Sequence, residues 1–190
     1  MYKRQVIAND NGALSVGAYG WHGNNALSLL QKAYSISNAE ISRVALSYSN
    51  TGRKVIAAIT NGSDWSSYVP DSYTYSCIKA MLLTNAGIDA QNQTSTENAE
   101  EYIAICQENN INDKRAIVYC ADILNQFGTG SFDKNVYGNG HNGVLYGVSN
   151  ATLDSVYSSK RAWSDSNYSY ETRRKWTYDY LNGLSDTDFS

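Results

Sequence analysis

The feature that most constrains this chain is a succession of apolar residues at 3.6-residue spacing, each run bounded by residues that start or stop helices. Ala26, Leu27, Leu30, Ala33 and Tyr34 form the first stripe, behind Asn24 or Asn25 as the cap. Ser37 and Glu40 stand in capping-box spacing before a second stripe of Ile41, Val44, Ala45 and Tyr48. Pro70-Asp71 opens a helix carrying Tyr75, Ile78 and Leu82, with Gly87 placed as its left-handed C-terminal cap. Thr94 and Glu97 repeat the capping-box signal ahead of Tyr102, Ile103 and Cys106. Asn112 is the expected cap of a helix through Ala116, Ile117, Cys120, Ile123, Leu124 and Phe127, which Gly128 stops. This is the most apolar segment and the expected centre of the core. Two further helices are expected near Ala151 to Trp163 and Tyr170 to Leu181, the last ended by Gly183. Val55 to Ile59 fits either a helix or a short strand, with Asn61-Gly62 a turn in both cases. Six or seven helices with at most a small hairpin make the class mainly α, or α+β with minimal β.

A chain of 190 residues, 42% apolar and 17% charged, is sized for one globular domain. Its longest apolar stretch, Ala116 to Leu124, is broken by Asp122, so no membrane-spanning helix is expected. The net charge is −3 with Lys and Arg scattered, which gives no electrostatic footprint for nucleic acid. Three cysteines, Cys77, Cys106 and Cys120, lack CxxC spacing and sit in apolar, helix-periodic settings. Neither a metal site nor any cofactor is indicated, and the thiols are expected to be buried. A disulfide between two of them stays open.

Sixteen tyrosines against a single proline, with many Ser and Asn, make a chemistry suited to sugar rings, which offer C–H faces for stacking and hydroxyls for hydrogen bonds. The same tyrosines also suit a core. Turn-forming residues crowd two regions. Asn9 to Gly23 surrounds a short alternating stretch and reads as a loop or small hairpin. Gly128 to Gly147 holds six glycines with Tyr137, His141 and Tyr146, an irregular stretch of the kind used for binding loops or connectors. The opening Met1-Tyr2-Lys3-Arg4-Gln5 resembles the translation of a transposase adaptor used in sequencing libraries. Residues 1–5 are therefore expected to be a scar, with the natural sequence joining at about Val6 and no targeting signal legible.

The hairpin region carries the chemistry. Asp10-Asn11-Gly12-Ala13-Leu14-Ser15-Val16-Gly17, running into Trp21-His22-Gly23 and then a helix, resembles the active-site hairpin of lysozyme-like peptidoglycan hydrolases of bacteria and phages. In that family a helix ends in Glu-Gly-x-Tyr, followed by Asn-Asp-x-Gly-Ala-Leu-Ser-x-Gly and Gln-Trp-His-Gly. A later helix reads Tyr-x-Ala-Asp-x-x-Asn-Gln-Tyr-Gly. Here Tyr119 to Gly128 matches that helix apart from Phe127, and Gly20 replaces the Gln before Trp-His. The resemblance covers roughly residues 6–128, and it implies a lysozyme-like core there, with residues 129–190 packed on the same domain.

It also implies cleavage of a β-1,4-linked amino-sugar polymer, by hydrolysis as in a muramidase or by lytic transglycosylation, in an extracellular, cell-wall or phage-particle setting. Such cleavage needs a protonated carboxyl to release the leaving oxygen and a second ionised group near the anomeric carbon or its attacking water. In the family an acid Glu lies shortly before the hairpin Asp and a hydroxyl residue follows it. Asp10 and Ser15 take those latter two places as catalytic candidates, and Asp10 equally suits an ordinary turn. Tyr19, Trp21, His22, Tyr119 and Asn125 are the candidate substrate-binding residues. Asp122 and Asn125, on one helical face with Tyr119, are expected to hold the hairpin in place. Counting back along the motif sets the acid just upstream of Met1, and no Glu occurs before Glu40, itself assigned to a helix cap. The polypeptide is therefore expected to be nearly inactive. Two other readings remain: a non-catalytic wall-binding module, and a peptidase using a Cys with His22 or His141.

Overall fold

Turn chemistry sets the first elements. In the computed structural model, which describes residues 7–128, 136–137, 141–142, 145, 148, 150–164 and 168–189, strands β1 (Ile7–Asp10) and β2 (Ala13–Val16) pair antiparallel. Asn11 and Gly12 both take positive φ, 52° and 95°, as the type I′ turn of a two-residue hairpin demands. A bulge lies between Ile7 and Asp10, and β3 (Trp21–His22) completes a three-stranded sheet with Ser15 opposite His22. Most of the expected loop between Gly128 and Gly147, and residues 1–5, lie outside the described residues. Of that loop, β4 (Val136–Tyr137) and β5 (His141–Asn142) form a separate two-stranded sheet.

Eight helices among the described residues make the protein mainly α with little β. They are α1 (Asn24–Ile36), α2 (Asn38–Leu46), α3 (Ser49–Asn61), α4 (Ser72–Leu82), α5 (Asn85–Glu108), α6 (Lys114–Phe127), α7 (Leu153–Ser164) and α8 (Tyr168–Asn182). Several boundaries follow the local chemistry. Ser37 accepts from the Glu40 backbone N–H and Asp71 from that of Thr74, while Gly62 and Gly128 end α3 and α6 with positive φ. The Val55–Ile59 segment is helical: Val55 and Ile59, four residues apart, face the core.

Four boundaries differ from the sequence expectation. Gly23 caps α1, because the Asn24 side chain is used elsewhere, accepting from the Trp65 backbone N–H at 2.7 Å and donating to Asp64 at 3.0 Å. Asp113, not Asn112, caps α6; one carboxylate oxygen accepts from Arg115 and Ala116 and the other from Leu153 at the start of α7. Thr94 and Glu97 lie inside α5 and cap nothing; Glu97 instead pairs with Lys32 of α1 at 2.5 Å. Gly87 lies in the first turn of α5, where a Cβ would come within 2.5 Å of the Met81 carbonyl. Its lack of a side chain therefore lets two chain segments touch rather than ending a helix.

The chain divides into two compact units, 1–97 and 98–190, the boundary falling within α5. α6 thus groups with the C-terminal helices. The first unit's core joins Leu14, Val16 and Trp21 of the sheet to Leu27, Leu30, Ile41, Val55, Ile59, Ile78 and Met81 of the helices. The second is built on one face of α6, where Ala116, Tyr119, Cys120, Ile123 and Leu124 meet Leu153, Val156 and Leu181. No helix of the described residues is long and apolar enough to cross a membrane.

Candidate functional site

The small sheet gathers three of the residues singled out from sequence. Ser15, only 2% exposed on the buried strand β2, donates its hydroxyl to Asp10 Oδ2 at 2.7 Å. His22, exposed and opposite Ser15 in the register, places Nε2 2.8 Å from the Asp10 backbone carbonyl. Asp10 pairs with Ala13 beside the turn, past the irregularity in β1, and its carboxylate reaches back along the hairpin to Ser15. Asp10 is half-buried, and Oδ1 has no protein donor among the described residues. A carboxylate oriented by a buried hydroxyl, with its second oxygen free, can accept a proton from water or a sugar hydroxyl, or face a developing positive centre.

Tyr19, in the tight connection from β2 to β3, is 59% exposed and meets Trp21 edge-on, with ring centroids 5.6 Å apart. Trp21 does not line a surface. It is 6% exposed and belongs to the first core. Gly17, at φ 77°, closes over its ring; a Cβ there would lie 2.5 Å from Trp21 Cζ3.

The later matched helix, α6, belongs to the second unit. Tyr119 is fully buried in the second unit's core, and its hydroxyl is raised well above the usual range, chiefly by burial. It is a core residue and cannot stack on a surface-bound glycan. Asp122 binds two arginines of α8, Arg173 at 2.5 Å and the fully buried Arg174 at 2.9 Å. Arg174 also donates to Gln126 and lies over the Tyr119 ring at 5.7 Å. Asn125 is half-buried on the same helix.

Of the other carboxylates of the first unit, Asp89 is exposed on α5, Glu97 pairs with Lys32, and three more accept from backbone N–H groups. Glu40 does not close its own capping box; its two oxygens accept from the backbone N–H groups of Asn85 and Ala86 at 3.2 and 3.0 Å, capping α5. Asp64 is held below the ordinary carboxylate range by the Ser66 backbone N–H first, then by the Asn24 amide and the Ser66 hydroxyl. The backbone N–H of Thr74 does the same for Asp71. Thiol chemistry is equally constrained. All three cysteines are fully buried; burial pushes Cys77 up to about 11, while a hydrogen bond with Cys120 holds Cys106 below the usual thiol range. The histidine His141 has its side chain outside the described residues. Among those residues no three His, Cys, Asp or Glu side chains are grouped as metal ligands.

One concave feature was not singled out from sequence. A cleft of about 350 Å³ is lined by Thr51, Lys54, Asp64, Trp65, Tyr68 and Thr74, among others. Its wall is tied to the hairpin: Leu14 donates its backbone N–H to the Tyr68 carbonyl at 2.9 Å, and Asn24, two residues beyond β3, binds Asp64 and Trp65. The volume lies at the lower end of the ligand-pocket range. The sequence signal was there only as a Trp and a Tyr three residues apart after the Asn61-Gly62 turn. No family model, curated protein or solved structure matches the chain.

Proposed function

We propose that the first unit carries the carboxylate side of a site that cleaves β-1,4-linked amino-sugar chains of the cell wall. In this reading Asp10 sits beside the anomeric carbon or its attacking water. Ser15 orients the carboxylate, and His22 fixes the hairpin through the Asp10 carbonyl. Tyr19 and the cleft beneath Trp65 and Tyr68 supply contact with neighbouring sugars. The observation that carries the proposal is the 2.7 Å bond from the buried Ser15 hydroxyl to Asp10, the pair that the lysozyme-like resemblance implies should act together. Muramidase or lytic transglycosylase action, and a cell-wall or extracellular setting, belong to the same proposal.

Such chemistry also needs a protonated carboxyl. Glu40 is committed to α5, Glu97 to Lys32, Asp64 and Asp71 are held ionised by their backbone donors, and Asp89 faces solvent without the apolar pocket that keeps a carboxyl protonated. The polypeptide is therefore expected to cleave more slowly, by about 10²–10⁴ or more, than one with a Glu in a helix leading into β1.

The test compares soluble sugar released from peptidoglycan by this chain, by a fusion bearing a Glu-Gly-x-Tyr helix before Ile7, and by that fusion with Asp10→Asn or Ser15→Ala. The expected order is fusion far above the unextended chain, with Asp10→Asn returning the fusion to the lower rate. Equal rates with and without the added helix, or a fusion indifferent to Asp10→Asn, reject the proposal. The engaged state of Glu40, Glu97, Asp64 and Asp71 also favours a second reading, a wall-binding module without catalysis, which predicts co-sedimentation with peptidoglycan and no release by any of the proteins.

A further inference from the structure

The three buried thiols divide between the two cores. Cys77 belongs to the core of the first unit, where its sulfur meets Met81 Sδ, one turn along α4, at 3.9 Å. Cys106, in the last turn of α5, and Cys120, in α6, belong together to the core of the second. Both are 0% exposed. The Cys106 sulfur reaches the backbone of α6, 3.9 Å from the Ile117 carbonyl. A helical carbonyl points toward the C-terminal end of its helix, and the side chain three residues on, here that of Cys120, lies beside it. The Cys120 thiol in turn donates to the Cys106 sulfur. The chain folds back at this point, since the backbone N–H groups of Asn109 and Ile111 both bond to the Cys106 carbonyl, at 3.1 and 3.0 Å.

We infer that Cys106 and Cys120 are a native cross-link site, a disulfide joining the end of α5 to α6, closed by exchange with a small-molecule disulfide of the oxidised-glutathione class. Cys77 stays a free thiol. A disulfide needs Cβ atoms about 3.5–4.5 Å apart and sulfurs that close to about 2.05 Å, which selects side chains that already face each other. Cys106 and Cys120 do, whereas the core that holds Cys77 contains no second cysteine.

In the exchange two electrons and two protons leave the protein. Cys106 attacks first, because the hydrogen bond from Cys120 holds its thiol below the usual range, while that bond and burial raise Cys120. The Cys106 thiolate displaces one thiolate from the oxidant and forms a mixed disulfide. The departing thiolate takes the Cys120 proton. Cys120 then attacks the Cys106 sulfur and expels the second thiolate, which takes up the proton that Cys106 gave up, so the oxidant ends as two thiols. With both sulfurs fully buried, the exchange belongs to the stage at which α5 and α6 come together in folding, and the closed core then shields the bond from reductant.

The bond closes the 15 residues from Cys106 to Cys120. A loop of that length favours the folded chain by about 10²-fold. By linkage, the fold favours the disulfide over the dithiol by the same factor.

The experiment starts from the full chain, reduced and unfolded, and equilibrates it over a range of [GSH]²/[GSSG], both in buffer and in urea that keeps it unfolded. Free thiols are then alkylated and the tryptic peptides mapped without reduction. Trypsin cuts after Lys79, Lys114 and Arg115, so the three cysteines fall on three peptides. In buffer, peptides 80–114 and 116–134 should be joined and Cys77 alkylated, with half-reduction at a glutathione value about 10²-fold higher than in urea. The urea arm is needed because the shortest loop also closes most readily by chance. Cys77→Ser should keep the cross-link. Three alkylated thiols in buffer, a pair that includes Cys77, glutathione retained on Cys106, or a native constant no larger than that in urea would each overturn the inference. None of these outcomes bears on the cleavage proposal, which uses no thiol.

Discussion

Glu40 is the first glutamate of the chain and the natural rival for the proton donor, so its removal separates two accounts of the site. Its carboxylate spans the backbone N–H groups of Asn85 and Ala86, at 3.2 and 3.0 Å, which have no partner within α5. A side-chain cap is worth about 1 kcal/mol, and a negative charge at a helix N-terminus adds about 0.3–1 kcal/mol. Glu40→Ala removes both and should destabilise by about 1–3 kcal/mol, whereas Glu40→Gln keeps one acceptor oxygen and should lose about 0.5–1.5 kcal/mol. Urea unfolding followed by circular dichroism measures both. The gap between Gln and wild type should narrow at high salt, because the charge–dipole part is screened. Sugar release by the Glu-bearing fusion should be unchanged by Glu40→Gln once the folded fraction is taken into account. An alanine variant as stable as wild type, or a glutamine variant that folds normally and releases no sugar, would refute the capping account.

Gly17→Ala forces a Cβ to 2.5 Å from the Trp21 ring at a φ of 77°, so about 2–5 kcal/mol of stability should be lost, read as a lower unfolding midpoint with intrinsic Trp emission shifted to the red. Asp122→Ala leaves the buried Arg174 guanidinium without its carboxylate and should cost about 3 kcal/mol in urea unfolding; an effect below about 1 kcal/mol means the arginine finds another acceptor. Asp64, lowered by its bonds to Ser66 and Asn24, stabilises the fold above its unfolded pKa of about 4 and loses that contribution as pH falls through the lower folded value. Midpoints measured from pH 5 downward should therefore fall more steeply for wild type than for Asp64→Asn, and parallel curves count against the linkage.

Where the chemistry of a helix end is local, the sequence was a sufficient guide. Ser37, Asp71 and Gly128 each act within a turn of themselves, and each does what its type predicts. The misread boundaries share a different physics. Asn24 has cap chemistry but spends it on residues forty and more positions away. The Thr94–Glu97 spacing is that of a capping box, yet Glu97 finds Lys32 on another helix and α5 continues through. Gly87 was legible as a special backbone position, but a close approach to Met81 looks the same in sequence as a left-handed cap. In each case a short-range signal was overruled by a partner that periodicity cannot reveal.

The candidate site divides along the same line. Asp10, Ser15 and His22 were singled out by the family resemblance, and the Asn-Gly turn then sets a hairpin in which a hydroxyl on β2 and an imidazole on β3 both reach Asp10. Tyr119 and Asp122 were not, because a Tyr-x-x-Asp stripe on an apolar helix looks alike whether its polar end faces a ligand or a buried arginine. Arg174 sits fifty-two residues beyond Asp122 on a helix whose sequence is mostly polar, so nothing near either residue announced the pair. The exposure of Trp176 and Tyr180 on the same polar helix was hidden in the high tyrosine count, since composition records how many rings there are and not which ones face water. A residue's type limits what chemistry it can do; whether it meets a ligand depends on which neighbour reaches it first.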